Sequence, residues 1–454
     1  MKKLFAFAML APLWAPAQDP VSNRERDIVI HAVNVIPMDR EAVLMNQDVW
    51  VRNGRITKIE AAREKFKTPK NTLVIDGHGK YLMPGLAEMH AHVPPVDDLN
   101  PMKDVLMLYA ASGITTIRGM LGHPRHIELR GMLERGEVIG PKFYTSGPSF
   151  NGNSVKSPEQ GAEMVRQQKQ LGYDFLKLHP GLTRTSFDAI AKAANEVGIP
   201  YAGHVSFDVG VWHAIESKYA SIDHLDGFVE GMVPGIESLD AQKAGLFGMF
   251  VAKRADTTQI LRLVKALKNN GIRVVPTQTL MERWYGPDMD ADALGRDPEM
   301  IYEKKETVDM WVSNKKKFFG NPELDMEQAR YFIQLRRKLI RECHKAGVKL
   351  VLGSDGPQVF NIPGFSLHHE LEYMVKSGLT PYEALKTGTV NAAEYFGRPD
   401  AGTIKPGNAS DLVLLSANPL TDIRNSLTIE GVMLGSNWLS REYLDQQLAR
   451  LKKW

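Results

Sequence analysis

Apolar and polar positions along the first part of the chain alternate in the two-residue rhythm of half-buried strands. The segment IVIHAVNVI is rich in β-branched residues, and VWVRNGRITKI carries Asn53-Gly54, a dipeptide suited to a tight hairpin turn. Residues 27–75 therefore read as a small β element. From about residue 80 the rhythm changes to short apolar runs separated by amphipathic stretches of helical period. Eight runs can be counted: 81–92, 113–119, 142–147, 174–179, 201–205, 221–225, 273–279 and 348–355. Helical patterns such as TSFDAIAKAANEVG and ADTTQILRLVKALKNNG lie between them. Alternating strands and helices predict an α/β protein with a parallel sheet, and eight such units predict a distorted (β/α)8 TIM-like barrel.

β character returns near residue 400 in AGTIKPGNASDLVLLSANPL and IEGVMLGSNWL. These strands are expected to pair with the N-terminal ones in a small β-sandwich domain built from both chain ends. The expected organisation is 18–80 and 396–454, with a terminal helix, for the sandwich, and 81–395 for the barrel. The gap before the eighth run is too long for a simple connection. It predicts an insertion at about 280–325, long enough for a lid over the barrel mouth. The Lys315-Lys316-Lys317 run within it is expected to be solvated.

Composition adds exclusions. With 43% hydrophobic and 24% charged residues and a mean hydropathy of -0.26, the chain has an ordinary globular profile, neither collagenous nor wholly disordered. Lys+Arg 56 against Asp+Glu 53 gives a formal charge of +3, which supplies no footprint for nucleic acid. The start MKKLFAFAMLAPLWAPAQDP combines a basic Lys2-Lys3 with an apolar run from Leu4 to Trp14 and an A-x-A site. It predicts a signal peptide over 1–17, cleaved after Ala17, and a periplasmic or secreted protein with no membrane attachment after cleavage. That run is well short of the ~20 apolar residues that span a bilayer. Cys343 is the only cysteine, so no intrachain disulfide can form. Its spacing from Phe332, Leu335 and Leu339 predicts a buried thiol on a helix face.

Metal-competent side chains stand at strand ends, where a barrel places its catalytic groups. The first run ends in His90-Ala91-His92, the fourth carries Lys177, the fifth His204, the sixth His224 and the eighth Asp355. Singly, each has a plain alternative: a polar strand end for a histidine, a snorkelling stem for Lys177, a turn residue for Asp355. Together, four histidines and a carboxylate suit a divalent transition metal such as zinc. Arg118 closes the second run and could bind a substrate carboxylate through its fork, or could form a structural salt bridge. His179, two beyond Lys177, shares its side and could contact substrate or simply pack. His368-His369 is expected to be non-catalytic.

The stretches PGLAEMHAHV, DFLKLH, GHV, IDHLDG and LGSDGP, followed by AGTIKPGNASDLVLL, resemble the amidohydrolase superfamily. The resemblance covers nearly the whole chain after residue 17 and is strongest to imidazolonepropionase-like and prolidase-like metal-dependent hydrolases. It implies two divalent metal ions: His90, His92 and Asp355 on one, His204 and His224 on the other. It also implies a carboxylated Lys177 that bridges them together with a hydroxide. A free ammonium has no lone pair to give a cation, whereas a carbamate offers two anionic oxygens. The implied activity is hydrolysis of an amide C–N bond in a small molecule, a dipeptide or N-acyl amino acid such as an ochratoxin-type amide, with Asp355 as ligand and base. The same centre could cleave a lactone or phosphoester, and a third reading is an inactive binding protein that keeps the fold; a homo-oligomer is open. Two departures bear on substrate. Gly119 follows Arg118 where many relatives carry Asp, and Ser206 stands where several dipeptidase-like relatives carry a second histidine.

Overall fold

The computed structural model describes residues 20–454 apart from positions 23, 25, 64 and 323, so the expected signal peptide lies outside the described residues. The N-terminal strands are β1 (Val21–Ser22), β2 (Asp27–Val35), β3 (Leu44–Arg52), β4 (Arg55–Ala61), β5 (Thr72–Asp76) and β6 (Tyr81–Pro84). The parallel strands follow: β7 (Leu86–Ala91), β8 (Ile114–Gly119), β9 (Lys142–Thr145), β10 (Leu176–Leu178), β11 (Tyr201–Gly203), β12 (Ser221–Asp223) and β13 (Arg273–Val275). Near the C-terminus come β14 (Leu412–Leu415), β15 (Ile429–Leu434) and β16 (Asn437–Ser440).

The Asn53-Gly54 turn joins β3 to β4 with φ of 50° and 70°, the left-handed pair that a type I′ hairpin requires. Strands from both chain ends hydrogen-bond in the order β1-β16-β15-β14-β6-β2-β3-β4, with β5 also on β2. Hydrogen bonding runs through all of them as one nine-stranded sheet. The β2 strand is long enough to pair through Asp27–His31 with β5 and through Asn34–Val35 with β6. Ile28, Ile30, Val49, Val51, Leu412 and Leu414 share one core beneath it.

Helices connect the parallel strands, giving a mixed α/β fold. Ile260–Asn269 is representative: Ile260, Leu263, Val264 and Leu267 form the buried stripe of an amphipathic helix. The strands form one sheet of β7-β8-β9 and another of β10-β11-β12-β13. Isolated parallel bridges join Ser146 to Phe175 and Phe150 to Leu178 on one side, and Val274 to Leu350 on the other. Seven of the eight expected runs contain a parallel strand; 348–355 does not. Met89 N does donate to Leu352 O (2.8 Å), but Leu352 N turns to Thr387 O and Ser354 N to the Glu88 carboxylate. A helix carbonyl and a side chain thus take the place of ladder partners. Gly353 permits the close approach, because a Cβ there would lie 2.5 Å from Val275 Cγ1 and 3.0 Å from His90 N.

The insertion folds into short helices and one long one, Lys305–Phe319. Leu294, Met300, Val308 and Trp311 pack on Phe360 and Ile362, in the segment after Asp355. Lys315 departs from the solvated role expected of it. It is buried, and its Nζ donates to the carbonyls of Arg283 (2.8 Å), Trp284 (2.8 Å) and Gly286 (2.9 Å), closing the end of the preceding helical turn. Cys343 is fully buried on its helix, as its spacing predicts. No helix among the described residues is long and apolar enough to cross a membrane.

Candidate metal centre

Strand register brings the expected residues to one end of the parallel sheets. His90 lies in β7 and Lys177 at the middle of β10, His204 and His224 directly follow β11 and β12, and Asp355 ends the 348–355 run. Lys177 Nζ stands 3.2 Å from His90 Nε2. The ring centroids of His90 and His224 are 4.5 Å apart, and those of His204 and His224 4.4 Å. His92 Nε2 and Asp355 Oδ1 approach to 2.7 Å, with His90 Nε2 3.6 Å from the same oxygen. One ligand atom each from His90, His92 and Asp355 falls within a common 4.8 Å.

The fit to a cation rests on atoms that nothing else satisfies. His92 Nε2, His224 Nε2 and Asp355 Oδ1 are buried without hydrogen-bond partners. His92 Nε2 and Asp355 Oδ1 form an ion pair at 2.7 Å without completing a hydrogen bond. Buried polar atoms normally find partners, so unpartnered ones beside the His90, His92 and Asp355 cluster fit a cation site. The opposite ring nitrogens of His204 and His224 are held, and that of His90 approaches a carboxylate without completing a hydrogen bond. His204 Nδ1 pairs with Asp226 Oδ2 (2.9 Å), His224 Nδ1 with Thr277 Oγ1 (2.8 Å), and His90 Nδ1 lies 2.7 Å from Asp223 Oδ2. Such outer contacts fix ring orientation and leave Nε2 for a metal. Burial above all, with the Lys177 charge next, lowers His90 far below the ordinary histidine range and His204 to about 3. Burial and neighbouring imidazoles do the same to His224. The rings are therefore neutral, the form that ligates. His224 (φ 63°), Thr277 (φ 46°) and Asp355 (φ 63°) adopt left-handed backbone, a strain of about 1–3 kcal/mol each that clusters at functional sites.

Arg118 is fully buried, and its carboxylate-binding role is corrected by what it touches. Nε donates to Met89 O (2.6 Å), one terminal nitrogen to Ser221 Oγ (2.9 Å) and Tyr395 OH (2.7 Å), and the other to both Asp223 oxygens (3.2 and 3.1 Å). No donor remains for a substrate. Its place is below the centre, orienting Asp223 beneath His90. His179 stacks on His204 with centroids 5.1 Å apart, and its buried Nδ1 has no partner. His368 is tied to Ser426 Oγ (2.8 Å) and Ser112 O (2.9 Å), away from this chemistry. The supporting residues Glu88, Asp223, Asp226 and Thr277 had not been singled out in the sequence. Three of them stand inside the motifs already quoted, in EMHAH and IDHLDG, and a carboxylate one or two residues from a candidate histidine was the available signal.

A family model described as the amidohydrolase family matches residues 81–439, which contain every one of these candidate residues. The chain belongs to the amidohydrolase family. It is a hydrolase of that family, with imidazolonepropionase-like and prolidase-like relatives. One relative is the ochratoxinase of Aspergillus niger, 39% identical over 83 residues, 18% of this chain and 16% of that protein, so the match spans a small part of the relative's length. Imidazolonepropionase of Idiomarina loihiensis is 23% identical over 404 residues, 84% of this chain and 88% of that one. Among solved structures, a Xaa-Pro dipeptidase with bound methionine in the active site superposes with a TM-score of 0.65 at 18% identity, over 91% of this chain and 100% of that one.

Proposed function

We propose that the chain is a metal-dependent amidase that cleaves the C–N bond of a small amide, a dipeptide or N-acyl amino acid, at two divalent cations. The observation that carries the reading is the gathering of one ligand atom each from His90, His92 and Asp355 within 4.8 Å, with His92 Nε2 and Asp355 Oδ1 buried and without hydrogen-bond partners. His90, His92 and Asp355 would hold one cation and His204 and His224 the other, an imidazole-rich set that suits zinc. Held there, divalent cations supply Lewis acidity toward a carbonyl and lower the pKa of water. Asp355 is the chain's own base: its carboxylate would take a proton from the attacking water and return it to the leaving nitrogen. The names of ochratoxinase and Xaa-Pro dipeptidase among the relatives support an amide rather than a lactone or phosphoester.

Lys177 would bridge the cations as a carbamate. Burial lowers its amine to about 8, so near neutrality a useful fraction is neutral and nucleophilic. The nitrogen lone pair adds to carbon dioxide, one N–H proton leaves, and two anionic oxygens result. The two parallel sheets would act as one (β/α)8 barrel with 348–355 as its eighth stave, supported by the bridges at Ser146, Phe150 and Leu350. Export belongs to the same proposal, and a mature N-terminus at Gln18 in a secreted or periplasmic fraction would test it.

Metal analysis of the reconstituted protein, followed by a panel of dipeptides, N-acyl amino acids, lactones and phosphotriesters, tests the function. Two metals per chain with amide turnover is the expected result. Turnover of lactones or phosphotriesters alone would overturn it, as would the absence of bound metal.

A further inference from the structure

Fully buried on the helix Met326–Ala346 lies Arg336, a charged side chain that the chemistry above does not use. Its three nitrogens all donate to neutral oxygens. One terminal nitrogen bonds His224 O (2.6 Å), the other Pro276 O (2.9 Å), and Nε the side-chain oxygen of Gln278 (3.0 Å). The carboxyl groups of Glu370, Glu282, Asp226 and Glu230 stand near enough to act on its charge. Stripping water from a guanidinium is costly, and an apolar side chain of similar volume often fills such a place at least as stably. The reason for an arginine here therefore lies in what its fork holds.

It holds backbone in an unfavourable conformation. His224 (φ 63°) and Leu225 (φ 53°) are consecutive left-handed residues, and His224 O belongs to the peptide between them. Pro276 O belongs to the peptide that enters Thr277, itself left-handed at a φ of 46°. Residues other than glycine stay in that region only where their surroundings over-determine them. One rigid planar fork thus grips both turns, the one after β12 and the one after β13, and fixes their separation. The two turns also meet through His224, whose amide donates to Val275 O (2.8 Å) and whose Nδ1 pairs with Thr277 Oγ1 (2.8 Å). Glu370, on the helix Phe365–Lys376, steadies the second turn by accepting from Thr279 N (2.6 Å). Phe247 adds an apolar contact: its ring centroid lies 5.9 Å from the guanidinium carbon of Arg336 and 5.3 Å from the His224 ring.

Arg118 serves His90 in a comparable way, through Asp223. The three acceptors of Arg336, by contrast, lie outside His90, His92 and Asp355. Each candidate cation site has a buried arginine of its own.

We propose that Arg336 is a positioning residue for the cation held by His204 and His224. It fixes the turns after β12 and β13 so that the unpartnered His224 Nε2 stays placed to ligate, and its loss empties that site while His90, His92 and Asp355 keep their metal. The inference rests on the two-cation reading and adds the residue that governs occupancy of one of the two sites.

The test counts metal in full-length protein reconstituted with cobalt(II), whose visible absorption follows each equivalent as it binds. The parent should take two equivalents. Arg336→Met should take the first with the parent's affinity and the second at least about 10-fold more weakly, the size of loss usual for a residue that orients a ligand. Arg283→Met controls for burial alone. Arg283 is buried, pairs with Asp297 and Glu299 and donates to Phe360 O (3.0 Å), all outside the candidate ligand set. Its variant should lower the unfolding midpoint as Arg336→Met does, yet bind both equivalents as the parent does. Arg336→Lys keeps the charge without the fork and should show a smaller loss at the second site, which answers the question even if Arg336→Met does not fold. Parent-like affinity for both equivalents in the folded Arg336 variants, or equal weakening of both, would overturn the positioning role and leave the two-cation reading standing. The same second-site loss in Arg283→Met would do so too. A parent that binds one equivalent or none would overturn both.

Discussion

Arg118→Met separates two roles for a buried cation. The side chain is fully buried and pairs with Asp223 at 3.1 Å while bonding Met89 O, Ser221 Oγ and Tyr395 OH. Removing one partner of a buried pair costs about 3–5 kcal/mol, because the other charge stays behind in low dielectric. Asp223 would keep only the Ser221 hydroxyl at 2.8 Å and the His90 ring at 2.7 Å. The orphaned Met89 carbonyl adds about 1 kcal/mol or more, and the two terms share partners and do not simply add. A loss of about 4–5 kcal/mol follows. A chain of this length loses stability at about 1 kcal/mol per degree near its midpoint, so the midpoint should fall by about 4–5 °C. Arg118→Lys keeps the charge without the planar fork and should recover part of the loss. Unfolding in guanidinium chloride and by heat, with metal content on the same samples, gives the readout. Metal content should fall as well, since Asp223 orients His90. An Arg118→Met protein within about 0.5 kcal/mol of the parent, with KM raised only for carboxylate-bearing substrates, would refute this placement and restore the substrate-binding role.

Lys177→Ala should lose metal and activity together, and formate or acetate should restore some turnover by offering two oxygens in the vacated space; full activity with two metals per chain would end the carbamate proposal. Gly203→Ala should do similar damage from the neighbouring strand. At its φ of 121° a Cβ would sit 2.5 Å from Leu178 O and 2.9 Å from Lys177 Cδ, so metal content measured after refolding should drop. Asp400, lowered to about 2 chiefly by its hydrogen bond to Arg398, contributes stability above its unfolded value near 4 that is lost as pH falls toward 2. Asp400→Asn should flatten that limb of an acid unfolding curve. The Cys343 thiol, pushed up to about 12 by burial, should resist an aromatic disulfide reagent in the native state and react fully in denaturant.

The α/β class and the gathering of the candidate residues were legible because both depend on local pattern. A histidine at the end of a short apolar run is carried to the strand end wherever the strand goes. What escaped was decided by contacts distant in sequence. Arg118 reads the same whether it meets a substrate or Asp223, 105 positions away, and only the fold chooses. Lys315 reads as part of a charged run, yet helix phase turns it inward onto three carbonyls while Lys316 and Lys317 stay exposed. The 348–355 run has the composition of a strand, but Glu88 and Thr387 claim the amides that a ladder needs.

The pairing of β6 with β14 has a consequence for synthesis. Tyr81–Pro84 meets its partner Leu412–Leu415 only after some 330 further residues have been made. At about 5–20 residues per second, roughly a quarter of a minute to a minute passes with that edge open. During this interval Leu82 and Met83, buried in the finished protein, belong to a strand with one unpaired side. An open apolar edge is a template for other chains. Synthesis that stalls before residue 412 therefore leaves a complete set of ligand residues on a chain whose first sheet cannot be finished, and such products should be found bound to chaperones or in the insoluble fraction.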